Sequence, residues 1–220
     1  MYNECRIPSR NRSAVQVALP MVMGALALLT CSLRLASRTP FSSGALTEDI
    51  VFGIAVMATI SVDAIDVVAA AKLGLGADIW TIEPSNIDGV LKCFYIAEPL
   101  YVVATDTTKI AVLIFYLQIF PHPKFRVLCH CIQGMCFAHV SAFGLSSLLQ
   151  CSPVHYSWQY WRGEKNGHCV NTNIAAWAAA ATNITLDVIV LVMPLPLLAR
   201  LLMPVPQKVR ALLLFSVGFL

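Results

Sequence analysis

Five long apolar stretches, each bounded by polar or Pro/Gly-bearing sequence, organise the chain. They run over Val15–Leu33, Ile50–Ala71, Cys93–Leu117, Val127–Leu149 and Ile174–Leu198. Each is near or above the roughly 20 residues that a helix needs to cross a bilayer. Hydrophobicity is continuous along each run rather than alternating, which excludes the strands of a transmembrane β-barrel. A spanning segment must also satisfy its own backbone hydrogen bonds, so all five read as helices. A sixth apolar stretch starts at Val209 and reaches only Leu220. As a helix it would extend about 18 Å, against a hydrocarbon core of about 30 Å. The pattern predicts an all-α polytopic transmembrane bundle with five complete spans and a partial sixth, as if the chain were cut inside that helix. Residues 1–14 form a short tail and residues 15–220 one transmembrane domain, with no internal repeat and no second domain.

Composition agrees with a lipid environment. Of 220 residues, 58% are hydrophobic and 12% charged, and the mean hydropathy is +0.72. A soluble domain carries about 25% charged residues. So little charge cannot coat a water-facing surface, which excludes an ordinary soluble enzyme, a disordered regulator and a nucleic-acid module. The net charge of +3 comes without a basic stripe. The lipid bilayer is therefore the expected partner, and nucleic acid is not. Lysines and arginines divide evenly between the two sides of the membrane, so the positive-inside rule decides nothing. The loop after the second span is acidic, with Asp78, Glu83 and Asp88. The loop after the fourth holds Cys151 and Cys169, and a disulfide there needs an oxidising compartment. Both features favour an outside N-terminus, although Arg6, Arg10 and Arg12 ahead of the first span argue the other way.

Charged residues inside spans are expensive and mark candidate functional positions. The second span holds Asp63 and Asp66, the third Glu98, Asp106 and Lys109, and the fifth Asn183 and Asp187. Asp63, Asp106 and Asp187 each fall within about three residues of a span centre, with Lys109 about one turn away. Three helices thus offer a carboxyl group at mid-membrane, and these groups are expected to face one another across the bundle interior. Lys109 could pair with Asp187 or Asp63 across the bundle, or with Asp106 at i, i+3. This layer reads either as a polar switch, ion or proton site, or as a static network that fixes helix packing. Glu98 lies nearer the outer end, where it could line a ligand cavity or reach the headgroups.

The loop Gln150–Asn173 is rich in aromatics, including Tyr156, Trp158, Tyr160 and Trp161. It reads as an interfacial belt or as a lid over a ligand cavity. Cys169 could pair with Cys151 or with Cys93 at the outer end of the third span. Cys129, Cys131, Cys136 and His139 do not converge, because residues i and i+2 of a helix face different ways. No metal site and no cofactor are expected. No H-E-x-x-H, G-x-S-x-G or phosphate-binding Gly loop occurs, so no catalytic residues are assigned and the chain does not read as an enzyme.

The stretch Lys109–Phe120 (KIAVLIFYLQIF) resembles the hallmark segment of the fungal rhodopsin-domain proteins, a receptor-like family of seven-helix membrane proteins from filamentous fungi. Further segments resemble the family in the same order: Gly74–Trp80, Gln150–Pro153 with Trp158, Gly167–Cys169 with Trp177, and Asn183–Asp187 followed by Leu191–Pro196. The resemblance covers roughly Arg34 to Leu220. It implies a seven-helix fold with an outside N-terminus and favours Cys151–Cys169 as the disulfide. It places Lys109, Asn183 and Asp187 at family-typical positions, and adds Trp177 to Glu98, Trp158 and Trp161 as possible cavity residues. A plasma-membrane receptor for an unknown extracellular cue follows, with a cytoplasmic signalling partner such as a G protein. Three departures stand out. Gln118 occupies a position usually held by Arg, Asp78 one usually held by His, and the seventh helix, which would carry a retinal-binding lysine, has no counterpart. Two other roles suit the same residues: a permease using the intramembrane carboxylates, or an accessory membrane protein in which they only hold helices together.

Overall fold

The computed structural model describes residues 13–37, 45–78, 82–120, 122–163 and 167–196. Its elements are α1 (Ser13–Ser37), α2 (Ala45–Leu73), α3 (Pro84–Ile119), α4 (Pro123–Leu148), β1 (Cys151–Ser152), α5 (Tyr156–Gln159), a single 3-10 turn (Tyr160–Arg162), β2 (His168–Cys169) and α6 (Thr172–Val192). Among the described residues, α2, α3, α4 and α6 are long and apolar enough to cross a membrane. The described apolar part of α1, Ser13–Leu29, is shorter. The bundle is the all-α polytopic architecture that the hydrophobic pattern predicts. The stretch from Val209 lies outside the described residues.

Local chemistry explains where the helices begin and end. Pro84 opens α3 behind an extended Glu83, and Pro123 opens α4 behind an extended His122. Proline fits the first helical turn because the N–H it lacks would be unsatisfied there anyway. Asn171 caps α6, its side-chain oxygen accepting from Ile174 N–H at 3.3 Å. Gly74 follows α2 at φ 80°, a backbone region that favours glycine. The early start at Pro84 means that α3 begins nine residues before the apolar stretch does. Asp88 and Lys92 therefore ride on the helix rather than in a loop.

The longest helix, α3, is also the hub. It packs against α2, α4, α5 and α6, while α1 rests on α2 and α4 also meets α6. The main core lies between α3, α4 and α6, built from Ile110, Leu113, Tyr116, Phe125, Cys129, Ile132, Cys136, Leu186 and Val190. Cys129 and Cys136 are fully buried there as small apolar side chains, and Cys131 points elsewhere and is exposed. Phe120 meets Phe125 edge-on at 5.2 Å, sealing the tight turn from α3 to α4. Outward-facing Leu19, Val22, Met57, Phe94, Phe137 and Ile184 are exposed. Such a surface suits acyl chains and not water.

Candidate functional site

A buried polar cluster joins α3, α4 and α6 beside this core. Asp106 is 0% exposed and Lys109 is also buried. Lys109 Nζ donates to Asn183 Oδ1 at 2.6 Å and pairs with Asp187 Oδ1 at 3.2 Å. Asp106 Oδ1 lies 3.9 Å away on the same helix. Asn183 Nδ2 also donates to Asp187 Oδ2 at 3.4 Å, a contact between neighbours one turn apart. The lysine thus takes Asp187 as its cross-bundle partner, with Asp106 as its local one.

His139 of α4 completes the cluster. Its Nδ1 lies 2.6 Å from Asp106 Oδ2, and its Nε2 lies 3.1 Å from Thr182 Oγ1 of α6. Thr182 directs its hydroxyl to the helix carbonyls of Ala178 (2.8 Å) and Ala179 (3.0 Å). With that hydrogen so assigned, Oγ1 accepts from Nε2–H. The imidazole thus bridges Asp106 on α3 and Thr182 on α6. Asp106 Oδ1 has no hydrogen-bond partner, so the electrostatic attraction of Lys109 is its main compensation. On the other side of the ring, Phe143 packs against His139 at 4.7 Å between centroids.

The second-span carboxylates stay outside this cluster. Asp63 is half-buried against α1 at Gly24, where an added Cβ would lie 3.2 Å from Asp63 Oδ2. Asp66 is half-buried one turn further along α2. Depth in the membrane was shared by Asp63, Asp106 and Asp187, but helix azimuth separates the first from the other two. His139 was weighed in the sequence only as a metal ligand and not as a member of the polar layer. It stands near the middle of the span Val127–Leu149, so the depth criterion applied to the carboxylates would have found it. Thr182 carries no comparable signal, since a helical threonine ordinarily bonds its own backbone.

At the disulfide end of the bundle, β1 and β2 pair antiparallel, with Cys151 opposite Cys169. These two cysteines form the disulfide, and Cys93 is a free thiol. The intervening loop is latched to α3. Trp161 Nε1–H donates to Asp88 Oδ1 at 2.7 Å, and Arg162 pairs with Asp88 Oδ2. Tyr95 donates its hydroxyl to the carbonyl of Leu148 at 2.6 Å. Trp158 stands edge-on to Tyr95 at 5.8 Å, and Lys92 Nζ lies 5.6 Å from the Trp158 ring centre. Gly167 lies so close to Tyr156 that an added Cβ would come within 2.6 Å of Cγ.

Beneath this loop is a cavity of about 20 Å³, lined by Glu98, Phe143, Ser146, Ser147, Gln150 and Thr172 among others. It takes Glu98 but none of the three tryptophans. Trp158 and Trp161 belong to the latch, and Trp177 is 78% exposed on α6. A space of this size holds one water-sized group. Phe143 lines it and also touches His139, which connects the cavity to the polar cluster.

A helical membrane bundle with a polar core beneath a disulfide-tied loop is the setting in which the comparisons fall. The chain matches the family model described as fungal rhodopsin domain over residues 33–220, and it belongs to that family. It is similar to a SAT4 family membrane protein of Emericella nidulans, 27% identical over 166 residues, which cover 70% of this chain and 41% of the relative. It is also similar to polyenoic acids biosynthesis gene cluster protein Ba17b of Metarhizium anisopliae, 24% identical over 196 residues, or 88% of this chain and 53% of the relative. The chain spans about half the length of these curated relatives. No solved structure matches.

Proposed function

We propose that the protein is a non-enzymatic, receptor-like component of the plasma membrane that senses an extracellular cue. In this reading the disulfide-tied loop faces outside, and the polar cluster is the switch that passes a signal to a cytoplasmic partner such as a G protein. The observation that carries it is the joining of α3, α4 and α6 by Asp106, Lys109, His139, Asn183 and Asp187. A network spread over three helices couples their relative positions. It can favour one arrangement over another when a ligand above it shifts Phe143. The test is complementation of a deletion strain with fluorescently tagged wild type, Lys109→Ala and Asp187→Ala. The variants are expected to lose the transcriptional response that the wild type restores, or to fail to reach the cell surface. Full complementation by both would sink the proposal.

A second reading is an accessory membrane protein of a biosynthetic pathway. It is favoured by the name of the Metarhizium relative, which places that protein in a gene cluster for polyenoic acids. A changed metabolite profile in the deletion strain, restored by both variants, would decide for it.

A further inference from the structure

We infer that the cavity at Glu98 binds one compact monovalent cation, either an alkali ion or the primary ammonium head of a small amine. Residues from three helices and the loop supply its wall. Glu98 comes from α3, Ser146 and Ser147 from α4, Gln150 from the segment before β1, and Thr172 from the first turn of α6. The polar residues of this lining carry one carboxyl group, three hydroxyls, of which Ser147 donates to the Gly144 carbonyl, and one amide. Hard monovalent cations and ammonium groups are held by such oxygens, while an anion would be repelled.

Glu98 makes no hydrogen bond or ion pair to any other described residue. Lys92, about one and two-thirds turns away on the same helix, is turned instead over the Trp158 ring. The Glu98 carboxyl group is therefore available to a group that enters the cavity. The cavity volume of about 20 Å³ admits a group of water size, which fits an ammonium head and excludes a quaternary ammonium. Glu98 is exposed at the rim, which gives a route of entry. Glu98 and Lys109 lie on one face of α3 about three turns apart, some 16 Å along the axis. Phe143 spans the interval to His139. The inference deepens the sensing proposal and rests on it for its biological meaning, not for its chemistry.

The test measures the apparent Tm of the full chain in phosphatidylcholine nanodiscs, in sodium, potassium, ammonium, methylammonium or choline chloride at equal ionic strength. A compact cation is expected to raise Tm with the logarithm of its concentration above its Kd, by about 3–6 °C at ten times that Kd. Choline is expected to give no rise. Glu98→Gln should abolish the dependence of Tm on the cation. A rise confined to sodium or potassium assigns an alkali ion, and one confined to ammonium and methylammonium assigns an amine head. Equal Tm in every salt, or a rise that survives Glu98→Gln, overturns the proposal. Should Glu98→Gln fail to fold, Thr172→Val and Ser146→Ala each remove one oxygen. Each should raise the half-saturating concentration about tenfold, and an unchanged value in both overturns the proposal equally. Because the readout is binding in vitro, its failure leaves the complementation result standing.

Discussion

His139 on α4 holds Asp106 on α3 at 2.6 Å, in a place where the aspartate has no exposed surface. Removing one member strands the other. His139→Leu is expected to destabilise the bundle by about 3 kcal/mol, because a buried carboxyl group loses its strongest contact. The double variant Asp106→Leu, His139→Leu should recover most of that loss, since neither half of the pair then remains alone. Denaturant titrations of the four proteins in mixed micelles form the required cycle. Strictly additive effects would show that the two residues are not coupled.

The Lys109 cluster predicts an asymmetry. Lys109→Met deprives both Asp106 and Asp187 of their cation, whereas Asp187→Asn leaves Lys109 with Asn183 and Asp106. Lys109→Met is therefore expected to cost more than Asp187→Asn, by about 1–2 kcal/mol. Thermal unfolding in nanodiscs measures the difference, and an equal or reversed order contradicts the geometry.

Much of this was legible in the chain. Continuous apolar runs fixed the helices, and charged or amide side chains near span centres singled out Asp106, Lys109, Asn183 and Asp187. Two kinds of information were missing. Azimuth around a nearly uniformly apolar helix leaves little periodic trace, so Asp63 could not be separated from Asp106 by depth alone. Contacts between a loop and a helix distant in sequence leave none. Trp158 and Trp161 therefore looked like walls of a cavity until Tyr95 and Asp88 were found to hold them. The Cys151–Cys169 pairing was favoured by family resemblance, since on the residues alone Cys93 stood as a rival partner for Cys169.

Asp88 anchors the loop through Trp161 and Arg162 together. Asp88→Ala should free both while costing less than about 1 kcal/mol of global stability, because the contacts are near the surface. Hydrogen exchange across Pro153–Gly163 should accelerate, and the tryptophan emission should shift to the red. Unchanged exchange in that segment would show that the latch does not restrain the loop.

The disulfide closes a segment with a sequence separation of 18. The variant Cys151→Ser, Cys169→Ser is expected to lose about 3 kcal/mol. Reductant should lower the apparent Tm of the wild type but not that of the double variant. A wild-type Tm indifferent to reductant contradicts this.

Gly167→Ala tests the packing beneath the hairpin. Its methyl group would meet the Tyr156 ring at 2.6 Å, an overlap expected to cost about 1–3 kcal/mol. Gly167→Ala with Tyr156→Ala should relieve the overlap. A Tm for the single variant equal to wild type would show that the loop shifts without strain.

Asp88, Tyr95, Val102 and Lys109 stand one heptad apart along α3. Positions seven apart drift by only about 20° around a helix, so these four form a single slanting line about 32 Å long. The three polar members of the line bind the loop, the end of α4 and α6 in turn. The helix is keyed to its housing like a shaft, with its teeth on one side. Twisting it about its own axis strains all three attachments in the same sense, whereas tilting it strains the two ends in opposite senses. Axial rotation of α3 would load the latch at the disulfide end and the ion pair at mid-bundle in the same sense.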